Sequence, residues 1–406
     1  MLNTPDEVAK ILLAQHDLQL TSIRTLQSLW AGYGSICAIT ARASSNAAAS
    51  TVSRRLYGNN LTASKDDDIP LILKFISPPK GREGDEGHLR KILSYEVEQH
   101  FYANLAPSLG PDVTVATCLQ STERNHEGLD GFVAMLLADL RLEFPVAGGK
   151  RDVLKPQQVH SAIDWLGNFH KTSKGWRTEG DLDAFILPPL EEAERRAAGR
   201  AGNKVWLNGG YTYLATRQKE YSDLKADSGS EWSNALCETE PSLGCSVAEA
   251  VAKILTPRGR PTESFIHGDV KSENLFTTKK GDQVAFFDFQ YIGLGLGVCD
   301  LAKLFTCSVP MTMLGDDADE LIQASDGEHD LLHRYKRALG VSLEGNEYDE
   351  KEFRSHWECA LVDWCRFQAS WGFWGNTEWL EGRVRCILRD EKWLRWVRNE
   401  LEAIKS

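Results

Sequence analysis

Apolar positions recur every second residue in the first third of the chain and follow a helical period beyond it, with the change near residue 140. "IPLILKFI" (69–76) is a short apolar run with one charge, Lys74, and predicts a strand. "RTLQSLWAGYGSICAITARA" (24–43) predicts strand, glycine turn, strand, and "PDVTVATCLQ" and "GFVAMLLADL" (131–140) predict two more strands. "HLRKILSYEVEQHFYANLA" (88–106) has helical spacing and interrupts them, while the polar, low-complexity "SSNAAASTVSRRLYGNNLTASKDDD" predicts a long hairpin excursion. At the start, Thr4 as N-cap, Pro5 at the first helical position and Glu7 closing a capping box predict a helix rather than a signal peptide. After residue 143, "PQQVHSAIDWLGNFHKTS" (156–173) and "SVAEAVAKILT" (246–256) are helical, with an ambiguous segment between them. Short strands follow over 263–290, and then a tryptophan-rich helical region. The pattern predicts an α+β protein. Residues 1–139 form an antiparallel sheet lobe with one inserted helix, and residues 140–406 a mainly helical lobe, joined by a hinge near Leu137–Leu140.

Composition narrows the class. A chain of 406 residues is too long for one core, and 42% apolar with 26% charged residues is ordinary for a globular protein. A net charge of −12 and a pI near 5.4 argue against non-specific nucleic-acid binding and against an anionic membrane surface. Nine cysteines without a C-x-x-C pair give neither zinc spacing nor a disulfide framework, which suits reduced thiols and a cytoplasmic setting. No apolar run approaches membrane-spanning length.

Chemistry concentrates in "ESFIHGDVKSENLF" (263–276). Asp269 follows an apolar strand end and Gly268, where a carboxylate can be held rigidly to orient and deprotonate a hydroxyl. Asn274 offers a hard amide oxygen suited to Mg²⁺. The turn "TTKKGDQ" and the strand "VAFFDF" (284–289) return Asp288 beside Asn274 as a second metal ligand.

"HGDVKSEN" followed by "DFQ" resembles the catalytic loop and metal-binding segment of protein-kinase-like phosphotransferases, most closely the aminoglycoside phosphotransferase and choline-kinase-like branch. The resemblance implies a bilobal kinase-like fold with ATP and Mg²⁺ bound between the lobes. It also implies further parts, and each has a candidate in order. "AGYGSI" supplies Gly32, Gly34 and Ser35 over the phosphates. Lys74, costly in an apolar strand unless paired, would contact them, with Ile72 on the same face against the adenine. Glu96 and Glu98 compete as its partner, and E-x-x-F-Y resembles the family's helix when Glu98 is chosen. "MLLADL" resembles the hinge, with Ala138 where the family has glutamate, so that backbone atoms of Ala138 and Leu140 would hold the base. No Walker sequence is present.

Gln290 stands where protein kinases have glycine, and Asp300 enters a helix twelve residues after Asp288. That leaves no room for an activation segment, which argues against a protein substrate and for a small-molecule acceptor. By the same resemblance Asp300 would brace the loop and His267 would be structural. Seven of the twelve tryptophans fall in 356–396; Trp357, Trp364 and Trp371, seven apart, read mostly as core, while Trp371 or Trp374 could line a pocket. "WLNGGYTYLATRQKEY" (206–221) reads as an insertion facing the acceptor, with no role for its residues. The implied function is ATP-dependent phosphorylation of a hydroxyl on an amino-alcohol, sugar, aminoglycoside-like or sterol-like molecule. The alternative is a nucleotide-binding pseudoenzyme or ligand-binding scaffold that keeps the fold.

Overall fold

Two long paired strands start the first sheet of the computed structural model, which describes residues 4–29, 32–58, 63–79, 81, 84–122, 132–176, 182–200, 204–315, 320–340 and 348–405. Ala31 of the glycine turn, Gly131 at the start of the fifth predicted strand and residues 201–203 of the ambiguous segment lie outside these. The chain divides into two compact units, 1–109 with 114–145, and 110–113 with 146–406, so the passage between them falls after Pro145 rather than at 139/140.

In the first unit, α1 (Pro5–Ala14) has the full capping box, Thr4 accepting from the Glu7 N–H while the Glu7 side chain accepts from the Thr4 N–H. β1 (Leu18–Ser28) and β2 (Gly34–Ala43) form a bulged hairpin. α2 (Asn46–Tyr57) follows, in place of the hairpin excursion that its polar composition predicts. Ser45 caps it through the Ala48 N–H, and Ala49, Val52, Ser53, Leu56 and Tyr57 recur at helical spacing to make one buried face. A second helix is therefore inserted in this sheet, besides α3 (Glu86–His100). β3 (Ile69–Ile76), β4 (Cys118–Ser121) and β5 (Val133–Ala138) complete an antiparallel sheet of order β1-β2-β3-β5-β4. Of the predicted strand over 111–120, only the last residues are extended as β4.

Strand alternation gives this sheet two chemically different faces. Ile69, Leu71, Leu73 and Phe75 of β3 join Val8, Leu12, Ala49 and Leu56 in one apolar core. Ile72 and Lys74 project from the other side of the strand.

The second unit begins with β6 (Val146–Ala147), α4 (Pro156–Ser173), α5 (Pro189–Ala197), α6 (Gln218–Ala226), β7 (Thr239–Glu240), β8 (Cys245–Ser246) and α7 (Val247–Leu255). Four short strands follow: β9 (Ser264–Ile266), β10 (Leu275–Thr277), β11 (Val284–Phe286) and β12 (Gly293–Gly295). The unit closes with α8 (Val298–Ser308), α9 (Asp326–Leu339), α10 (Glu350–Trp371), α11 (Thr377–Leu388) and α12 (Glu391–Lys405). α10 runs through its core, with Trp357 and Phe367 almost wholly buried. Of the heptad-spaced indoles, Trp357 and Trp364 are core, whereas Trp371 is 53% exposed.

Candidate active site

Two hairpin registers bring the second unit's polar residues together. β9 pairs with β12, Ile266 opposite Gly293, and β10 pairs with β11, Leu275 opposite Phe286. One step beyond, the Phe287 N–H donates to the Asn274 carbonyl at 3.0 Å, so Asp288 follows directly on a residue bonded to Asn274. Asp288 adopts φ +67°, in the left-handed region that a non-glycine residue rarely occupies. The Asn274 amide nitrogen donates to the Asp269 carbonyl at 2.8 Å and to Asp269 Oδ2 at 3.0 Å. The Asn274 Oδ1 oxygen and the Asp288 carboxylate are both hard oxygen donors. One amide and one carboxylate, completed by phosphate and water oxygens, suit Mg²⁺. Among the described residues, no group of three His, Cys, Asp or Glu could hold a metal by itself.

The loop bearing Asp269 is fixed from below. Gly268 sits at φ +84°, and a Cβ there would lie 2.4 Å from the Tyr291 carbonyl oxygen, so only glycine fits. Asp300, fully buried on α8, accepts the N–H groups of His267 (2.7 Å) and Gly268 (2.9 Å). Burial alone would raise its pKa; the hydrogen bond from His170 Nε2, with the nearby Lys303 ammonium, instead holds the carboxyl pKa below its usual value. The His267 ring, also buried, donates from Nε2 to the Phe287 carbonyl at 2.9 Å, and Nδ1 accepts the Asp269 N–H at 3.3 Å. Burial pushes the His267 pKa down against the pull of Asp300 and Asp269, which keeps the ring neutral and suits a brace. Lys303 Nζ donates to the Gly268 carbonyl at 2.5 Å.

Lys271 Nζ lies 2.9 Å from Asp269 Oδ2 and 3.2 Å from Glu273. Burial opposes its charge, but Asp269, Glu273 and Asp288 together outweigh it and hold the ammonium protonated well above its ordinary range. One cation thus faces three carboxylates.

His170, Lys271, Lys303 and Tyr335, whose hydroxyl lies 2.9 Å from His170 Nδ1, are additions that the sequence does not single out. Lys303 carries a readable signal, a charge inside the apolar "VCDLAKLFTCSV". His170 carries none.

In the first unit, Lys74 Nζ lies 2.5 Å from Glu98 Oε2, and both side chains are buried; Glu98 rather than Glu96 is the partner. Gly34 closes the β1–β2 turn at φ +144°, where a Cβ would lie 2.0 Å from the Phe75 carbonyl oxygen, and the neighbouring Gly32 (φ +75°) faces open space. Ser35 follows on β2, its hydroxyl 3.6 Å from the Cys37 sulfur. Ala138 ends β5, its N–H donating to the Thr117 carbonyl at 2.9 Å. Leu140 opens a 3₁₀ turn capped by Asp139, so its N–H has no partner inside that turn.

No curated protein matches the chain in sequence. Among solved structures, it is similar to an amicoumacin kinase, hAmiN, in complex with AMP-PNP, Ca²⁺ and Ami, with 12% identity over 98% of this chain and 91% of that one and a TM-score of 0.45. It is also similar to the macrolide 2′-phosphotransferase MphH of Brachybacterium faecium, with 15% identity over 97% and 98% of the two chains and a TM-score of 0.41. A third is an ethanolamine kinase of Plasmodium vivax, with 11% identity over 96% and 83% and a TM-score of 0.38. The model of the ecdysteroid kinase-like family matches residues 47–325, more than half of the chain and a stretch that contains Lys74, Glu98, Asp269, Asn274 and Asp288. The chain therefore belongs to the ecdysteroid kinase-like family, with its protein-kinase-like α+β fold, and is a phosphotransferase with a hydroxyl group as acceptor.

Proposed function

We propose that this phosphotransferase moves the γ-phosphoryl group of ATP to a hydroxyl of a small molecule, with Mg²⁺ as its metal. The observation that carries the reading is the bonding of Asp269. Its Oδ2 is engaged by Asn274 and Lys271, which leaves Oδ1 to accept the proton of an acceptor hydroxyl as that oxygen attacks in line. Asn274 and Asp288 would hold the ion, which when bound neutralises charge on the phosphates. In the first unit, Lys74 restrained by Glu98 would contact the phosphates, and Gly32, Gly34 and Ser35 would cover them. Backbone atoms of Ala138 and Leu140 would meet the base. Residues 1–139 would thus serve the nucleotide, and 140–406 the transfer, the metal and the acceptor.

A small-molecule acceptor is favoured over a protein because β12 and α8 follow Asp288 at once, with no segment on which a peptide could dock. Nine cysteines with no disulfide among the described residues favour a cytoplasmic setting. No helix among the described residues is long and apolar enough to cross a membrane.

Purified protein with Mg²⁺ is expected to bind ATP and to phosphorylate a component of a metabolite extract, detected by mass spectrometry. Asp269→Asn is expected to abolish transfer and keep ATP binding. Absence of ATP affinity in calorimetry would overturn the reading.

A further inference from the structure

One stripe of α3 meets the glycine turn of the first unit. His88, Lys91, Tyr95 and Glu98 follow one another at intervals of three, four and three residues, which stacks side chains along one helix face. Tyr33 stands between Gly32 and Gly34 in the turn and is only 4% exposed. Its hydroxyl lies 2.5 Å from His88 Nδ1, and its ring centre is 5.6 Å from that of His88 and 6.2 Å from that of Tyr95. Lys91 Nζ is 4.7 Å from the same ring centre. The Tyr95 ring in turn lies 5.8 Å from Lys74 Nζ, whose carboxylate partner is Glu98.

The neighbours of this contact fix both of its partners. Burial, with the Asp85 carboxylate nearby, raises the Tyr33 pKa, so the phenol keeps its proton and donates to Nδ1. Asp85 also caps α3, accepting the His88 N–H at 3.0 Å. A Cβ on Gly81 would lie 2.0 Å from the His88 ring, so the chain packs directly on the imidazole. The Tyr33 carbonyl accepts the Ser77 N–H at 2.9 Å, one residue past the end of β3, the strand that carries Lys74. Leu29, Tyr33, Ile76 and Tyr95 form a small apolar cluster of their own, separate from the main core of the sheet.

We propose that Tyr33 and His88 are positioning residues for the nucleotide phosphates, latching the glycine turn to the face of α3 that carries Glu98; this rests on ATP being the donor and on that turn covering its phosphates. The β1–β2 turn needs glycine at its left-handed positions and asks nothing of the residue between them. An aromatic side chain there, buried on another element, serves the position of the turn rather than its closure. Backbone flanked by two glycines has many conformations to lose when it closes over a ligand. The phenol removes much of that freedom before the nucleotide arrives. Because the same helix face restrains Lys74 through Glu98, the covering backbone and the ammonium are set as one unit.

Calorimetry on the intact protein with Mg²⁺, using ATP and adenosine as probes, separates a latch from a general loosening. Tyr33→Phe, which removes one hydroxyl and keeps the ring, is expected to weaken ATP binding about ten-fold and to leave adenosine binding unchanged. His88→Ala should act alike, whereas His88→Asn, which keeps an acceptor close to the place of Nδ1, should recover most of the affinity. Equal ATP affinity in wild type and Tyr33→Phe, a matching loss for adenosine, or no recovery in His88→Asn would overturn the latch while leaving ATP as the donor. A wild type without ATP affinity would overturn the nucleotide reading itself, and the latch with it.

Discussion

Lys74 and Glu98 expose 7% and 2% of their side chains, and their ion pair offsets much of the cost of burying both charges. Glu98→Ala is expected to lower unfolding stability by about 3–5 kcal/mol, because it removes the carboxylate paired with a buried ammonium. Lys74→Met with Glu98→Leu should recover most of that loss in chemical denaturation while phosphoryl transfer stays abolished. Lys74 is legible in sequence because a single charge in a short apolar strand needs a partner. Asp269, Asn274 and Asp288 are legible because a loop and a hairpin fix their spacing locally. His170 is not: its partners Asp300 and Tyr335 lie 130 and 165 positions away, and only tertiary packing joins them. Lys303 shows as a charge inside an apolar run, but its partner is the Gly268 backbone carbonyl, which leaves no mark on the sequence.

At the scale of elements, α1, α4 and α7 follow from caps and apolar spacing, with ends close to those predicted. α2 does not, because serine, asparagine and alanine outside a packed context favour turns as readily as helix. Its helical state comes from burying Val52, Leu56 and Tyr57 against the sheet, contributions of about 1.5–3 kcal/mol each. Ser45 then fixes where the helix starts. Ser45→Ala should lower stability by about 1 kcal/mol, read as a shift in denaturant midpoint at unchanged slope. The 206–211 segment was equally opaque. Its glycines suggest a loop, but its hydrogen bonds go to residues around 268 and 291, far along the chain.

For the molecule as a whole, alternation and helical spacing separate a sheet-based part from a helical part, and the loop chemistry places the proposed reactive residues in the second. The C-terminal third is less legible, because a tryptophan at helical spacing looks the same whether it fills a core, as Trp357 does, or faces solvent, as Trp371 does. The single ammonium of Lys271 among Asp269, Glu273 and Asp288 has a consequence for the energy of the entire fold. Asp269, Glu273 and Asp288 all act on the Lys271 ammonium, and Asp288 sits on a backbone at φ +67°, so this corner of the fold carries like charges and local strain. Asp288→Asn removes one charge and places there a residue at ease in the left-handed region, so its melting temperature without divalent ions should exceed that of the wild type. Added Mg²⁺ should raise the wild-type melting temperature and leave that of Asp288→Asn nearly still. A wild type indifferent to Mg²⁺ would refute the proposal that Asn274 and Asp288 share a metal ion. On the role proposed for Asp288, fitness for transfer and resistance to unfolding are opposed at one position, and the ion would reconcile them.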